Sequence, residues 1–192
     1  MSAVTLRDLL TVLAPISPHT AETLLQHTEL RTLKKHAFLE QAGQHIQFQF
    51  VVKSGIVRKF LTNAKGEEFT VNFFRAGQAV TPALLRGVEF VSFVNLEVIS
   101  AAAEVYCFSL HGMQQAMEGA KDLERFGFAV MMREAFMMTE REKILLTASG
   151  KEKLAWFRKH YPNLENEIPH YHIASFLGLT PTSLSRLRAA KH

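Results

Sequence analysis

A single cysteine, Cys107, stands in the 192 residues. An internal disulfide is therefore excluded, and so is an iron–sulfur cluster held by four thiolates of one site. No apolar run approaches the ~18 residues that span a bilayer. The opening stretch MSAVTLRDLLTVLAP lacks the basic region of a secretory leader and carries an acid among its apolar positions. These absences lead us to expect a cytoplasmic protein with no membrane partner. Glycine-rich phosphate loops, a nucleophile elbow and paired catalytic carboxylates are missing too, so an enzyme is not expected. His45 has no H-x-H partner in the β-rich region, which leaves a metal-dependent β-roll enzyme without its ligands. His170 and His172 do form such a pair, but on a helix they point about 200° apart and cannot share a metal. No catalytic residue and no metal ligand is expected.

What the chain does have is a 47% apolar composition, ample for a packed core, and an uneven charge map. Residues 1–150 carry 15 Lys+Arg against 15 Asp+Glu, whereas residues 151–192 carry seven against three. The whole net charge of +4 thus lies in the last 42 residues. A basic end on a neutral body suggests a polyanionic partner, most often DNA.

Three textures follow one another. Leu6, Leu9, Leu10 and Leu13 keep a helical period until Pro15 and Pro18 break it, and Ser17 or Pro18 opens a second short helix. From about Glu29 to Ser109 short alternating runs are separated by turn chemistry at Gly55, at Asn63–Gly66 and at Ala76-Gly77, which predicts an antiparallel sandwich, roll or barrel. From about His111 to Ala148 the pattern is helical. Leu123, Phe126, Val130, Met137 and Ile144 form one stripe, and Phe128, Met131, Ala135, Met138 and Leu145 a second, about 200° around. A helix apolar on two faces needs two covers: the β body, and a partner copy or further chain of its own.

The most specific run is Ile173 to Arg188, IASFLGLTPTSLSRLR. Two helices crossing at a tight turn need a small residue at the crossing (Ala174), a turn glycine (Gly178) and apolar contacts, here Ile173, Leu177, Leu179, Leu184 and Leu187. Thr180 suits the N-cap of the second helix, and Pro181 its first position. Thr182 and Ser183 then lie in the first turn and Arg186 one turn on, where a guanidinium can meet guanine O6 and N7. Arg188, Lys191, Lys151 and Lys153 suit phosphates. The expected DNA-contacting set is Thr180, Thr182, Ser183, Ser185, Arg186, Arg188 and Lys191.

This order of β-rich body, long helix and terminal helix-turn-helix resembles the Crp/Fnr (catabolite activator) regulators over nearly the whole chain. The resemblance implies an α+β architecture: an N-terminal antiparallel β-roll of the cyclic-nucleotide-binding type over residues 1–110, a dimerisation helix over 111–148, and a winged-helix-like DNA-binding domain over 149–192. It also implies a homodimer, duplex DNA and RNA polymerase as partners, and an unidentified small-molecule effector. Pro181 and Thr182 stand where better-known members carry Arg and Glu, so a different target is expected. Four residues after Arg188 leave little room for a wing.

The sensor half fits the shape of the family better than its chemistry. Members that bind cyclic nucleotide show a Gly-Glu pair and then an Arg followed by a small hydroxyl residue. Here Gly77 is followed by Gln78, the stretch Gly87 to Asn95 has no arginine, and Ser92 is followed by Phe93, with Arg86 the nearest cation. Gly77, Gln78, Arg86 and Ser92 are the candidate ligand residues. An anion buried without a cation is costly, so cyclic nucleotide is disfavoured and no cofactor is expected. Phe73, Phe74, Phe90 and Phe93 could line a pocket for another ligand or belong to the core. The alternative function is a cyclic-nucleotide or other small-molecule sensor with weak or lost DNA binding.

Overall fold

The computed structural model describes residues 15–190. The leucine-periodic stretch through Leu13, and Lys191, lie outside them. The second expected short helix is present as α1 (Pro18–Gln26), with Ser17 as N-cap accepting from the Thr20 amide at 3.1 Å. Among the described residues nine strands follow: β1 (Thr28–Lys34), β2 (Phe38–Glu40), β3 (Phe48–Ser54), β4 (Ile56–Thr62), β5 (Glu68–Arg75), β6 (Gly87–Val88), β7 (Val91–Ser92), β8 (Asn95–Val98) and β9 (Ala102–Ser109). The helices are α2 (Leu110–Met117), α3 (Lys121–Thr147), α4 (Gly150–His160), α5 (His170–Phe176) and α6 (Pro181–Ala189).

The strands form a three-stranded sheet ordered β1-β9-β3, a four-stranded sheet ordered β2-β8-β4-β5, and the small hairpin β6-β7. Antiparallel register sets Phe50 against Cys107 and Val52 against Val105. Period-2 alternation then sorts each strand between two interiors. Phe50, Val52, Val57, Phe74, Leu96, Val98, Val105 and Cys107 fill the roll. Val51 and Phe108, next to them in sequence, belong instead to a second cluster with Leu24 of α1, Ala116 of α2, and Leu123, Phe126 and Val130 of α3. The β1-β9-β3 sheet is therefore covered on both faces. Burial pushes the Cys107 thiol up to about 11, so it is protonated and inert at neutral pH, as a core residue.

The chain divides into two compact units, residues 1–59 with 73–134, and residues 60–72 with 135–192. The first holds the roll core, α1, α2 and the start of α3. The second holds the β4–β5 tip, the rest of α3 and the terminal helices.

Three features differ from the sequence expectation. The helix expected over 111–148 is broken, because Gly119 adopts φ +82° between α2 and α3. Along α3 only Leu123, Phe126 and Val130 of the first stripe are buried, and Met137 and Ile144 are half-exposed. Of the four phenylalanines, Phe73 and Phe74 are core, while Phe90 and Phe93 are exposed.

Buried charge in the first unit is paired. Lys59 Nζ lies 2.8 Å from Glu134 Oε1 and 2.6 Å from Thr81 Oγ1, which itself donates to Glu134. Three elements far apart in sequence meet in that one network.

Candidate nucleic-acid interface

The second unit is built around aromatic rings. Trp156 and Phe157 of α4, Tyr161 and Phe176 pack with centroids 5.2 to 6.5 Å apart. Ser149 caps α4, and its hydroxyl and backbone amide exchange hydrogen bonds with Glu152 in a capping box. Arg141 of α3 places its guanidinium 4.6 Å from the Phe176 ring centroid and donates to the Phe176 and Thr70 carbonyls. Burial lowers the Arg141 pKa, yet the group stays a cation.

The β4–β5 tip is tied to the same unit. The Thr70 amide donates to Ser175 Oγ at 2.9 Å, and the Tyr161 hydroxyl to Asn72 Oδ1 at 2.8 Å. Sequence reasoning gave no hint of this, because the partners lie 105 and 89 positions apart.

The turn between α5 and α6 follows the expected rules. Ala174 is fully buried, and its carbonyl accepts from the Leu179 amide at 2.9 Å, reversing the chain. Gly178 adopts φ +62°, with an added Cβ reaching Leu145 at 3.5 Å. Gly178→Val should therefore cost about 1–3 kcal/mol in urea unfolding, mostly as backbone strain. Ile173, Leu177 and Leu184 are buried, and Leu179 and Leu187 half-buried. Thr180 caps α6, accepting from the Ser183 amide at 3.1 Å, and Pro181 occupies the first helical position.

Of the expected DNA-contacting residues, Thr180, Thr182, Ser185, Arg186 and Arg188 are exposed on or beside α6. Ser183 is half-buried, and its hydroxyl accepts from Thr180 Oγ1. The two arginines differ. Arg188 is held by Glu165 at 2.5 Å, and its Nη1 lies 2.9 Å from His170 Nδ1. A guanidinium can only donate, so Nδ1 accepts, and the opposite ring nitrogen carries the proton toward the Glu165 carbonyl at 3.2 Å. Arg158, and then Arg188, hold the Glu165 carboxyl below the usual carboxylate range. Among the described residues the guanidinium of Arg186 enters no hydrogen bond or ion pair. His172 is buried while His170 is exposed, on opposite sides of α5. Lys151 is exposed and Lys153 half-exposed at the start of α4.

The four candidate ligand residues are engaged within the protein. Gly77 and Gln78 form the turn after β5, bonded to Val52 and Arg75. Arg86 and Ser92 are neighbours, the Ser92 hydroxyl 3.4 Å from the Arg86 carbonyl. Arg86 is fully buried. Its Nε donates to Glu40 at 2.9 Å, its Nη1 to Gln49 at 3.1 Å and the Thr81 carbonyl at 2.7 Å, and its Nη2 to the Phe48 carbonyl. The Glu40 carboxylate is thus the counter-charge of the Arg86 guanidinium. Sequence reasoning missed Glu40, which lies 46 positions from its partner.

No family model matches the chain, and no curated protein matches its sequence. Solved structures do match. FixK2 from Bradyrhizobium japonicum aligns over 84% of this chain and 83% of its own, with TM-score 0.74 and 15% identity. The c-di-GMP-responsive global regulator CLP from Xanthomonas campestris aligns over 90% of each chain, with TM-score 0.70 and 16% identity. A transcriptional regulator of the Crp/Fnr family from Eubacterium rectale aligns over 90% of this chain and 82% of its own, with TM-score 0.69 and 15% identity. No helix among the described residues is long and apolar enough to cross a membrane. From β-roll to terminal helix-turn-helix, the chain has the fold of the Crp/Fnr regulators.

Proposed function

We propose that the chain is a sequence-specific DNA-binding transcription regulator that acts as a homodimer. One observation carries the reading: Thr182, Ser185 and Arg186 are exposed on a capped helix in a helix-turn-helix, and Arg186 is not engaged by the protein's own described residues. Such a helix enters the major groove, and a two-fold pair reads half-sites ~34 Å apart. Arg186 is the base-reading residue. Lys151 and Lys153, with Lys191, serve phosphates, and Arg188 positions α6 through Glu165. The sensor region is residues 1–110, the connecting helical region 111–148 and the DNA-binding region 149–192, with RNA polymerase a further partner.

The dimer reading rests on α3. Phe128, Met132 and Phe136 succeed one another at four-residue steps, and all are more than half exposed. Such a ridge suits a partner helix. Phe136→Glu should turn a dimer into a monomer at micromolar concentration, read by light scattering. A wild-type monomer would remove the dimer from the proposal.

The sensor half is read as no cyclic-nucleotide site, because the Glu40 carboxylate already neutralises Arg86. Selection of bound duplexes from a random pool tests the main reading. A palindromic consensus is expected, and recovery of unenriched sequence would point instead to a sensor that has lost DNA binding.

A further inference from the structure

Within the first unit lies a cavity of about 940 Å³, outside the roll, between the β1-β9-β3 sheet and the helices. Its size falls in the range of roughly 300–1,000 Å³ typical of small-molecule sites. The floor is apolar: Val51 and Phe108 from the sheet, Leu24 from α1, and Leu123, Phe126 and Val130 from the inward side of α3. None of Gly77, Gln78, Arg86 or Ser92 lines it, so it is distinct from the ligand position that the sequence suggested.

The polar lining sets the charge of an occupant. Gln49 is committed to the Val80 carbonyl, the Ala83 amide and Arg86. His111, Gln114, Glu118 and Glu124 are exposed at the rim. Two carboxylates and no lysine or arginine among the described lining residues make the site hostile to an anion.

The mouth is also strained. Glu89 (φ 49°) and Phe90 (φ 59°) form the two-residue turn between β6 and β7, with left-handed backbone ordinarily given to Asn-Gly. Phe90 lines the cavity yet remains 55% exposed, and an apolar occupant would cover it. The floor and the outer ridge of α3 diverge along the helix, Leu123 and Met132 being nine residues, about 180°, apart, and the two meet at Phe128, which lines the cavity edge.

We propose that this cavity binds an apolar small molecule without negative charge, of the alkyl alcohol or alkyl amine class, and that this molecule is the effector. Only the word effector rests on the regulator reading; binding does not.

The full chain is titrated with the neutral dye Nile red, which is then displaced by decanol, decylamine or decanoate at pH 7. Decanol and decylamine should displace it at micromolar concentration, and decanoate at least tenfold less well. Gly127→Phe points a ring into open cavity space, where an added Cβ meets only Met117 Cε at 3.9 Å, and should weaken the dye at least tenfold. Phe90→Ser, at an exposed position, should weaken it with folding unaffected. Equal displacement by decanoate, no displacement by any of the three, or unchanged dye affinity in both variants would overturn the site. Decanol should also shift the DNA-binding midpoint at least threefold, and no shift would overturn the effector role. DNA binding without ligand, measured separately by gel shift, tells failure of the regulator reading from failure of the cavity.

Discussion

Glu40→Ala should cost about 3–5 kcal/mol of stability, seen as a large drop in the urea midpoint. The reason is asymmetric. Glu40 and Arg86 are both shut away from water, the guanidinium completely so. Together they satisfy each other, with Gln49 and two carbonyls taking the remaining donors. Removing the carboxylate leaves a cation in the interior with no counter-charge. Removing both charges does not, and Glu40→Leu with Arg86→Met should recover part of the loss, the remainder being the cost of the Thr81 and Phe48 carbonyls left without their donor. A loss under about 1 kcal/mol for Glu40→Ala would show that water reaches the pair. The same experiment bears on ligand chemistry, since an arginine already neutralised by its own chain has little to offer a phosphate.

Arg186→Ala should lower affinity for the selected operator by about 1–3 kcal/mol, roughly 5- to 150-fold, and relax the preference at one base pair in each half-site. Lys151→Ala gives the contrast. It stands on α4 rather than on α6 and should weaken operator and random DNA alike, reducing the salt slope by about one. Gel-shift titration at several salt concentrations separates the two patterns. Equal losses on operator and random duplex for Arg186→Ala would make it a phosphate contact and leave base reading to Thr182 and Ser185.

Legibility in the sequence followed the range of the interaction. The α5–α6 turn is local: cap, proline, small residue and glycine all lie within 20 residues, and each is where the physics asks for it. The strands of the roll announced themselves by alternation and turn residues for the same reason. The break at Gly119 was local too, but both apolar stripes begin beyond it, at Leu123 and Phe128, and so gave no sign of where the helix starts. Along α3, periodicity found the inner face through Val130 and lost it beyond, because the buried residue one turn further on is Glu134, which an apolar count does not score. The pairs Arg86–Glu40 and Lys59–Glu134 join positions 46 and 75 apart, and no local pattern encodes them. The same holds for Arg188, whose attachment to Glu165 distinguishes it from Arg186 although both are basic residues of one short helix.

The bonds from Thr70 to Ser175 and from Asn72 to Tyr161 also bear on biosynthesis. The ribosome releases the β4–β5 tip long before it has made α5, so these two bonds cannot form until residues 161–176 have followed. A chimera that transplanted residues 135–192 onto an unrelated sensor would leave Ser175 and Tyr161 without these partners. The tip is in effect an inherited part of the terminal helical unit, and any exchange of modules would have to carry both segments together.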